Sequence, residues 1–219
     1  MEKQHIKELI VRVIILFVGL TIAHLGVTLF LLANMGSDPY NVLIQGLFRT
    51  EQRLMNISWL THGRVHVVIS FLIIIVLFFV DKSYLKIGTI ICMTCGGPII
   101  DFFTILLEPL FEAFPGLWFK IPMLAAGCII LAYGMTIVIK SNAGTGPNDL
   151  VSVVLSDKTH WKFTFVRIGT DAAFVILGFL LGGSFGVGTI ICAFLVGPVA
   201  GFFLPRNERI IEKIVSRIH

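Results

Sequence analysis

Apolar residues in this chain gather into blocks. Six are long, running from Leu9 to Ala33, Val65 to Val80, Ile87 to Leu107, Ile121 to Ile139, Phe163 to Leu181, and Val187 to Leu204. A helix needs about 20 mostly apolar residues to cross about 30 Å of hydrocarbon, so the pattern predicts six transmembrane helices. Two shorter segments, Pro39 to Phe48 and Pro147 to Leu155, follow a turn motif. As helices they would be about 14–15 Å long, half of a crossing. Beyond Arg206, Ile210, Ile211, Ile214, Val215 and Ile218 fall on one side and charges on the other. Residues 206–219 therefore read as an amphipathic helix on the membrane surface, with a plain solvated tail as the alternative.

Composition supports the membrane reading. Of 219 residues, 56% are hydrophobic and 14% charged, with a mean hydropathy of +0.93. Soluble domains average about 45–50% apolar and about 25% charged. The excess must face lipid, which excludes a secreted disulfide scaffold, a disordered tail and a free nucleic-acid-binding domain. The net charge of +4 matters through its placement. With the N-terminus in the cytoplasm, thirteen of seventeen basic residues lie inside: Lys3, Lys7, Arg12, Lys82, Lys86, Lys140, Lys158, Lys162, Arg167, Arg206, Arg209, Lys213 and Arg217. Arg49, Arg53, Arg64 and Lys120 lie outside. Both termini are expected in the cytoplasm. The first block is too long for a signal-peptide core and is read as retained.

The chain repeats itself. Asn34-Met-Gly-Ser-Asp-Pro39 returns 108 residues later as Asn142-Ala-Gly-Thr-Gly-Pro147. Ile87-Gly-Thr-Ile-Ile-Cys92 returns 100 residues later as Val187-Gly-Thr-Ile-Ile-Cys192, and Gly97-Pro98 as Gly197-Pro198. Arg64 and Arg167 each precede the middle span of their half. The repeats are expected at 9–107 and 121–204, the second with its motif at 142–155, within one membrane domain of residues 1–219. Three spans per half is an odd number, so the second half enters from the opposite side. The expected fold is all-α, six transmembrane helices in two inverted repeats, each carrying a re-entrant or half-spanning helix.

The motif chemistry fits helix starts. Gly36 and Gly144 permit tight turns. Pro39 and Pro147 suit the first helical position, and Gly146 immediately precedes Pro147. Asp38 is placed to cap its helix. Asn41 and Asp149 lie in the first turn, where they meet the positive helix end. Such short helices are tolerated at membrane depth when they line a cavity or are buried in protein. Capped interfacial loops are the plainer alternative.

Ionisable groups within the spans add candidates. Asp171 lies about 12 Å into the fifth span, with Arg167 one turn before it. His24 lies half way along the first span. Asp171 and His24 are the candidate proton sites. Arg64 and Arg167 have a plain reading as interface anchors, and Arg167–Asp171 as a structural pair. The candidate solute contacts are Asn34, Ser37, Asp38, Asn41, Arg64, Asn142, Thr145, Asn148, Asp149, Arg167 and Asp171. Cys92, Cys95, Cys128 and Cys192 read as packing residues, with no metal site expected.

The paired Asn-x-Gly-x-x-Pro segments, Thr145-Gly-Pro-Asn-Asp149 and the repeated Gly-Thr-Ile resemble the bacterial YczE/YitT-like membrane-protein family. The family's Gly-Pro-x-Asp matches Gly146-Pro147-Asn148-Asp149, whereas the first half has Asp38-Pro39-Tyr40-Asn41, with Asn41 where the family often carries Asp. The resemblance implies a bacterial inner-membrane, multi-pass protein. Taken together, the expectation is a transporter or channel-like permease for a small polar or amphipathic solute, binding between the halves. A non-transporting scaffold or accessory subunit is the alternative. Neither an enzyme nor a cofactor is expected. The expected partners are the lipid bilayer and a small-molecule solute, with no nucleic acid; a homodimer is an open alternative.

Overall fold

Helix starts and stops follow the turn chemistry of the sequence. The computed structural model describes residues 2–33, 35–36, 38–55, 62–183 and 185–217, with backbone alone for residues 2, 3, 5, 62–64 and 101. In chain order the helices are α1 (Glu2–Ala33), α2 (Pro39–Leu54), α3 (His62–Asp81), α4 (Ile87–Ala113), α5 (Leu117–Lys140), α6 (Pro147–Thr159), α7 (Phe163–Leu180) and α8 (Val187–Ser216). A single 3-10 turn, Lys82–Tyr84, joins α3 to α4. Six of these helices, all but α2 and α6, are long and apolar enough to cross a membrane.

Lipid tails are as apolar as a leucine side chain, so helices in a membrane associate through close packing rather than through water exclusion. The α1–α5 contact shows how close. A Cβ placed on Gly26 would lie 2.6 Å from the Gly127 carbonyl oxygen, and one on Gly134 would lie 2.7 Å from that of Gly19. The two helices run antiparallel, and Gly26 and Gly19 stand 108 residues before Gly134 and Gly127. Around this seam, Phe30, Leu124, Cys128, Ala132, Met135, Val196 and Ala200 form the main core between α1, α5 and α8. A second cluster holds Leu16, Leu20, Cys92 and Val138 between α1, α4 and α5. The outer faces of α3 and α4 are left to the surroundings: Phe79 and Ile105 are among the most exposed apolar side chains.

The two short helices are longer than the half-span expected. At 1.5 Å per residue, α2 measures about 24 Å and α6 about 20 Å. The extra turns of α2 have a physical reason. Arg49 donates to the Gly182 carbonyl at 2.9 Å, and the Thr50 hydroxyl donates to that of Leu181 at 2.7 Å. The end of α2 is thereby pinned to the end of α7. The helix expected at 206–219 is joined to the span before it. From Arg206 the chain simply continues α8, as far as Ser216. Buried Asn207 donates to Thr136 at 2.6 Å, and Lys140 pairs with Glu208 at 2.7 Å, so α5 holds this stretch through polar contacts. Ile211 and Val215 are buried while Ile210 and Ile214 are exposed.

The seam predicts a contrast between two glycines. Gly134→Val forces α1 and α5 apart and costs about 1–3 kcal/mol of stability, the usual range for overpacking. Gly97→Ala adds a methyl where nothing lies within 4 Å. Thermal melting of purified protein in detergent should fall clearly for the first and stay at the wild-type value for the second.

Candidate functional site

Each motif turn is completed by a helix from the other half. Gly36 has φ +130° and Gly144 has φ +140°, a backbone that side chains with a Cβ rarely adopt. The turn exposes the carbonyl of the residue before the glycine. Met35 O accepts from Gly188 N at 3.0 Å, and Ala143 O accepts from Gly88 N at 2.8 Å. The first turn thus closes on α8 and the second on α4. Gly88 and Gly188 belong to the repeated Gly-Thr-Ile. Both of those helix starts have backbone N–H groups with no partner inside the helix, and the opposing turns satisfy one in each.

The turns set the starts of α2 and α6. Pro39 and Pro147 occupy the first turns. Asp38 caps α2: its Oδ1 accepts from Asn41 N at 3.3 Å, and its Oδ2 accepts from Asn41 Nδ2 at 2.6 Å. Gly146 offers α6 no side-chain cap, and Asp149 in the first turn faces the positive helix end instead. Asn148 Nδ2 donates to Asp149 Oδ1 at 3.1 Å.

Asp149 also joins α6 to α7. Arg167 Nη1 donates to Asp149 Oδ1 at 2.5 Å, and Arg167 Nε donates to Asp171 Oδ2 at 2.9 Å. Arg167 is 6% exposed and Asp171 1%. One buried guanidinium therefore bridges two carboxylates through two separate donors of its planar fork. Behind the bridge, Ser152 and Thr170 share a 2.7 Å hydrogen bond. At the start of α2, the Tyr40 ring packs on Phe174 of α7 at 5.6 Å. The starts of α2 and α6 thus both lie against α7.

A polar cavity of about 610 Å³ reaches the second turn. Arg12, Lys86, Lys140, Asp157, Glu208 and Glu212 line it, and Asn142, Gly144 and Thr145 stand in its wall. Lys86 Nζ donates to the Asn142 carbonyl at 2.9 Å and also to Asn142 Oδ1. Burial first, and then the neighbouring Arg12, lower the Lys86 ammonium below its ordinary range. A separate groove of about 370 Å³, lined by Phe17, Pro98, Phe102 and Phe103 among others, is almost wholly apolar.

The sequence pattern of DUF6198, a family of unknown function, matches residues 10–205. The chain belongs to this family. Its similarity to the uncharacterized membrane protein YczE of Bacillus subtilis is 28% identity over 96% of this chain and 94% of that protein. An uncharacterized protein of Haemophilus influenzae is 30% identical over 87% of this chain and 82% of its own length. The uncharacterized protein YyaS of Bacillus subtilis is 23% identical, over 88% and 92%. No solved structure matches. The resemblance to YczE expected from the motifs therefore holds, and with six apolar helices this DUF6198 member is a multi-pass membrane protein.

In the DUF6198 member, the residues singled out from sequence divide into groups. Asp149, Arg167 and Asp171 meet directly, with Asn148 attached. Asp38 and Asn41 pair with each other. Asn142 and Thr145 stand in the wall of the polar cavity. His24 Nδ1 lies 2.8 Å from the Leu20 carbonyl, and its Nε2 edge lies where a side chain on Gly96 would stand. Asn34 and Ser37 lie outside the described residues, as do the side chains of Arg64 and Asp101. Sequence reasoning paired Arg167 with Asp171 and missed Asp149 as the third member. Asp149 and Arg167 lie 18 residues apart on two different helices, beyond the reach of i,i+4 spacing. It also missed Lys86, the basic residue just before the first Gly-Thr-Ile.

Two ion pairs of this family member should respond differently to truncation. Arg167→Met leaves buried Asp171 and half-buried Asp149 without their shared cation and costs about 3–5 kcal/mol. Lys158 and Asp81 form an exposed pair at 2.9 Å, and Lys158→Met should leave the melting temperature unchanged because solvent screens such pairs. Melting curves of the two variants in the same detergent check this.

Proposed function

We propose that this protein is a transporter or channel-like permease of the bacterial inner membrane, moving a small polar or amphipathic solute through a site between two inverted halves. The observation that carries the reading is that the starts of α2 and α6 both lie against α7 near Asp171, through Tyr40 on Phe174 and through Asp149 on Arg167. Two helix N-termini, a bridged guanidinium and a polar cavity beside one of the turns are the parts needed to strip water from a polar solute and replace it. Asp38, Asn41, Thr145, Asn148 and Asp149 are the proposed contacts, with Arg167 and Asp171 shaping the field. The reading assigns no chemical step on the solute, so the protein is proposed as a carrier or channel and not an enzyme.

The inverted arrangement has its own support. The glycine contacts of α1 on α5 and the two turn-to-helix hydrogen bonds each come in pairs, exchanged when residues of one half are replaced by their counterparts in the other. An axis lying in the membrane plane produces such exchange. In this reading α2 and α6 enter from opposite faces, and the basic residues place both termini in the cytoplasm.

The two readings, carrier and scaffold, part on water access. In a background with the four native cysteines replaced, Thr145→Cys should react with a membrane-impermeant maleimide from the cytoplasmic face and Asn41→Cys from the opposite face. Protection of both positions from both faces would sink the transport reading and favour a scaffold. A reporter that fluoresces only in the cytoplasm should light when fused after His219; a dark fusion with normal protein levels would overturn the assigned orientation.

A further inference from the structure

Asp149 and Asp171 share one guanidinium, and Asp38 is the carboxylate of the other motif. Asp38 has the backbone and side-chain amides of Asn41. Asp149 has Arg167, Asn148 and the positive start of α6. Asp171 has Arg167 through Nε at Oδ2. Its other oxygen, Oδ1, is buried with no hydrogen-bond partner among the described residues. An ionised carboxylate oxygen in that position has given up water and received no donor in exchange.

No described residue supplies one. Arg167 Nη1 is committed to Asp149. From α1, His24 turns Nδ1 to the Leu20 carbonyl. From α8, the buried Cys192 packs in the core with Cys128. From α2, the Tyr40 hydroxyl pairs with Ser70, while its ring packs on His66 and on Phe174, one turn along from Asp171. With Asp149 and Asp171 both ionised against Arg167, the centre carries an excess of negative charge at membrane depth, where such charge is expensive.

We propose that Asp171 holds a proton on Oδ1 in this state and is the proton-coupling site of the protein. The proton comes from water and returns to it; one O–H bond forms or breaks, and nothing is oxidised. Loss of the proton leaves Arg167 shared by two full charges and draws α6 and α7 together through Asp149 and Asp171. Gain of the proton leaves Asp149 as the one ionised partner and loosens the tie. His24 takes no part in the transfer, its ring being fixed by packing. The coupling role rests on the transport reading; the presence of the proton does not.

Infrared difference spectroscopy on the full chain in lipid nanodiscs, stepped from mildly acidic to alkaline pH, reads the proton directly. A buried carboxylic-acid carbonyl band should be present at neutral pH, shift in heavy water and disappear as pH rises. It should be lost in Asp171→Asn, which keeps an oxygen for Arg167 Nε, retained in His24→Gln, and weakened at neutral pH in Asp149→Asn, which frees Arg167 for Asp171. Absence of the band in the wild type, or its persistence in a folded Asp171→Asn protein, overturns the proposal. A band assigned to Asp171 in a protein whose maleimide sites are closed from both faces keeps the proton and removes transport. Open sites with no band do the reverse.

Discussion

Everything else in this molecule is arranged around two helix backbones that nearly touch. Without a hydrophobic force to gather helices in lipid, contact distance decides which pair holds. Glycines at 19, 26, 127 and 134 bring α1 and α5 close enough for backbone carbonyls to sit where side chains would stand. A seam that tight admits no slippage along its length. The ends of α1 and α5 are therefore fixed, and with them the turns that follow at Met35-Gly36 and Ala143-Gly144. The starts of α2 and α6 inherit their positions from those turns.

The polar interior follows from that placement. The turn after α5 sets Asp149 one helix away from Arg167, and Arg167 is the cation available to neutralise it. Its fork reaches Asp149 through Nη1 and Asp171 through Nε. The bridging fork ties α6 to α7 through charge, while α2 is tied to α7 by carbonyls at the far end, at Leu181 and Gly182. Helix α7 is thus gripped at two depths by two different short helices.

Much of the frame was legible from the chain. The six blocks, the two proline-led segments and the Arg167–Asp171 spacing all rest on local periodicity or on i,i+4 geometry, which a sequence carries in full. What was not legible depended on distance. The lengths of α2 and α8 are set by partners across the fold: Gly182 and Leu181 for Arg49 and Thr50, Thr136 and Lys140 for Asn207 and Glu208. No local signal marks those continuations, and Pro205 even reads as an interruption. Asp149 was singled out for its helix start; its role as counter-charge required knowing that α6 folds back along α7.

The crossed hydrogen bonds at the motif turns have a consequence for how such a chain is made. The Met35 carbonyl waits for Gly188, which leaves the ribosome more than 150 residues later. Until then the first half must sit in the membrane with an unfilled turn, and Gly88 lacks Ala143 for a shorter time. Neither half can complete itself. On the inverted reading, an ancestral half-length chain faced the same shortage and met it by pairing with a copy inserted the other way up. Fusion of the two copies would have replaced a chance meeting in the bilayer with a fixed neighbour, and freed each half to keep charges of its own, as Asp149 and Asp171 stand in one half opposite Asn41 and Val68 in the other.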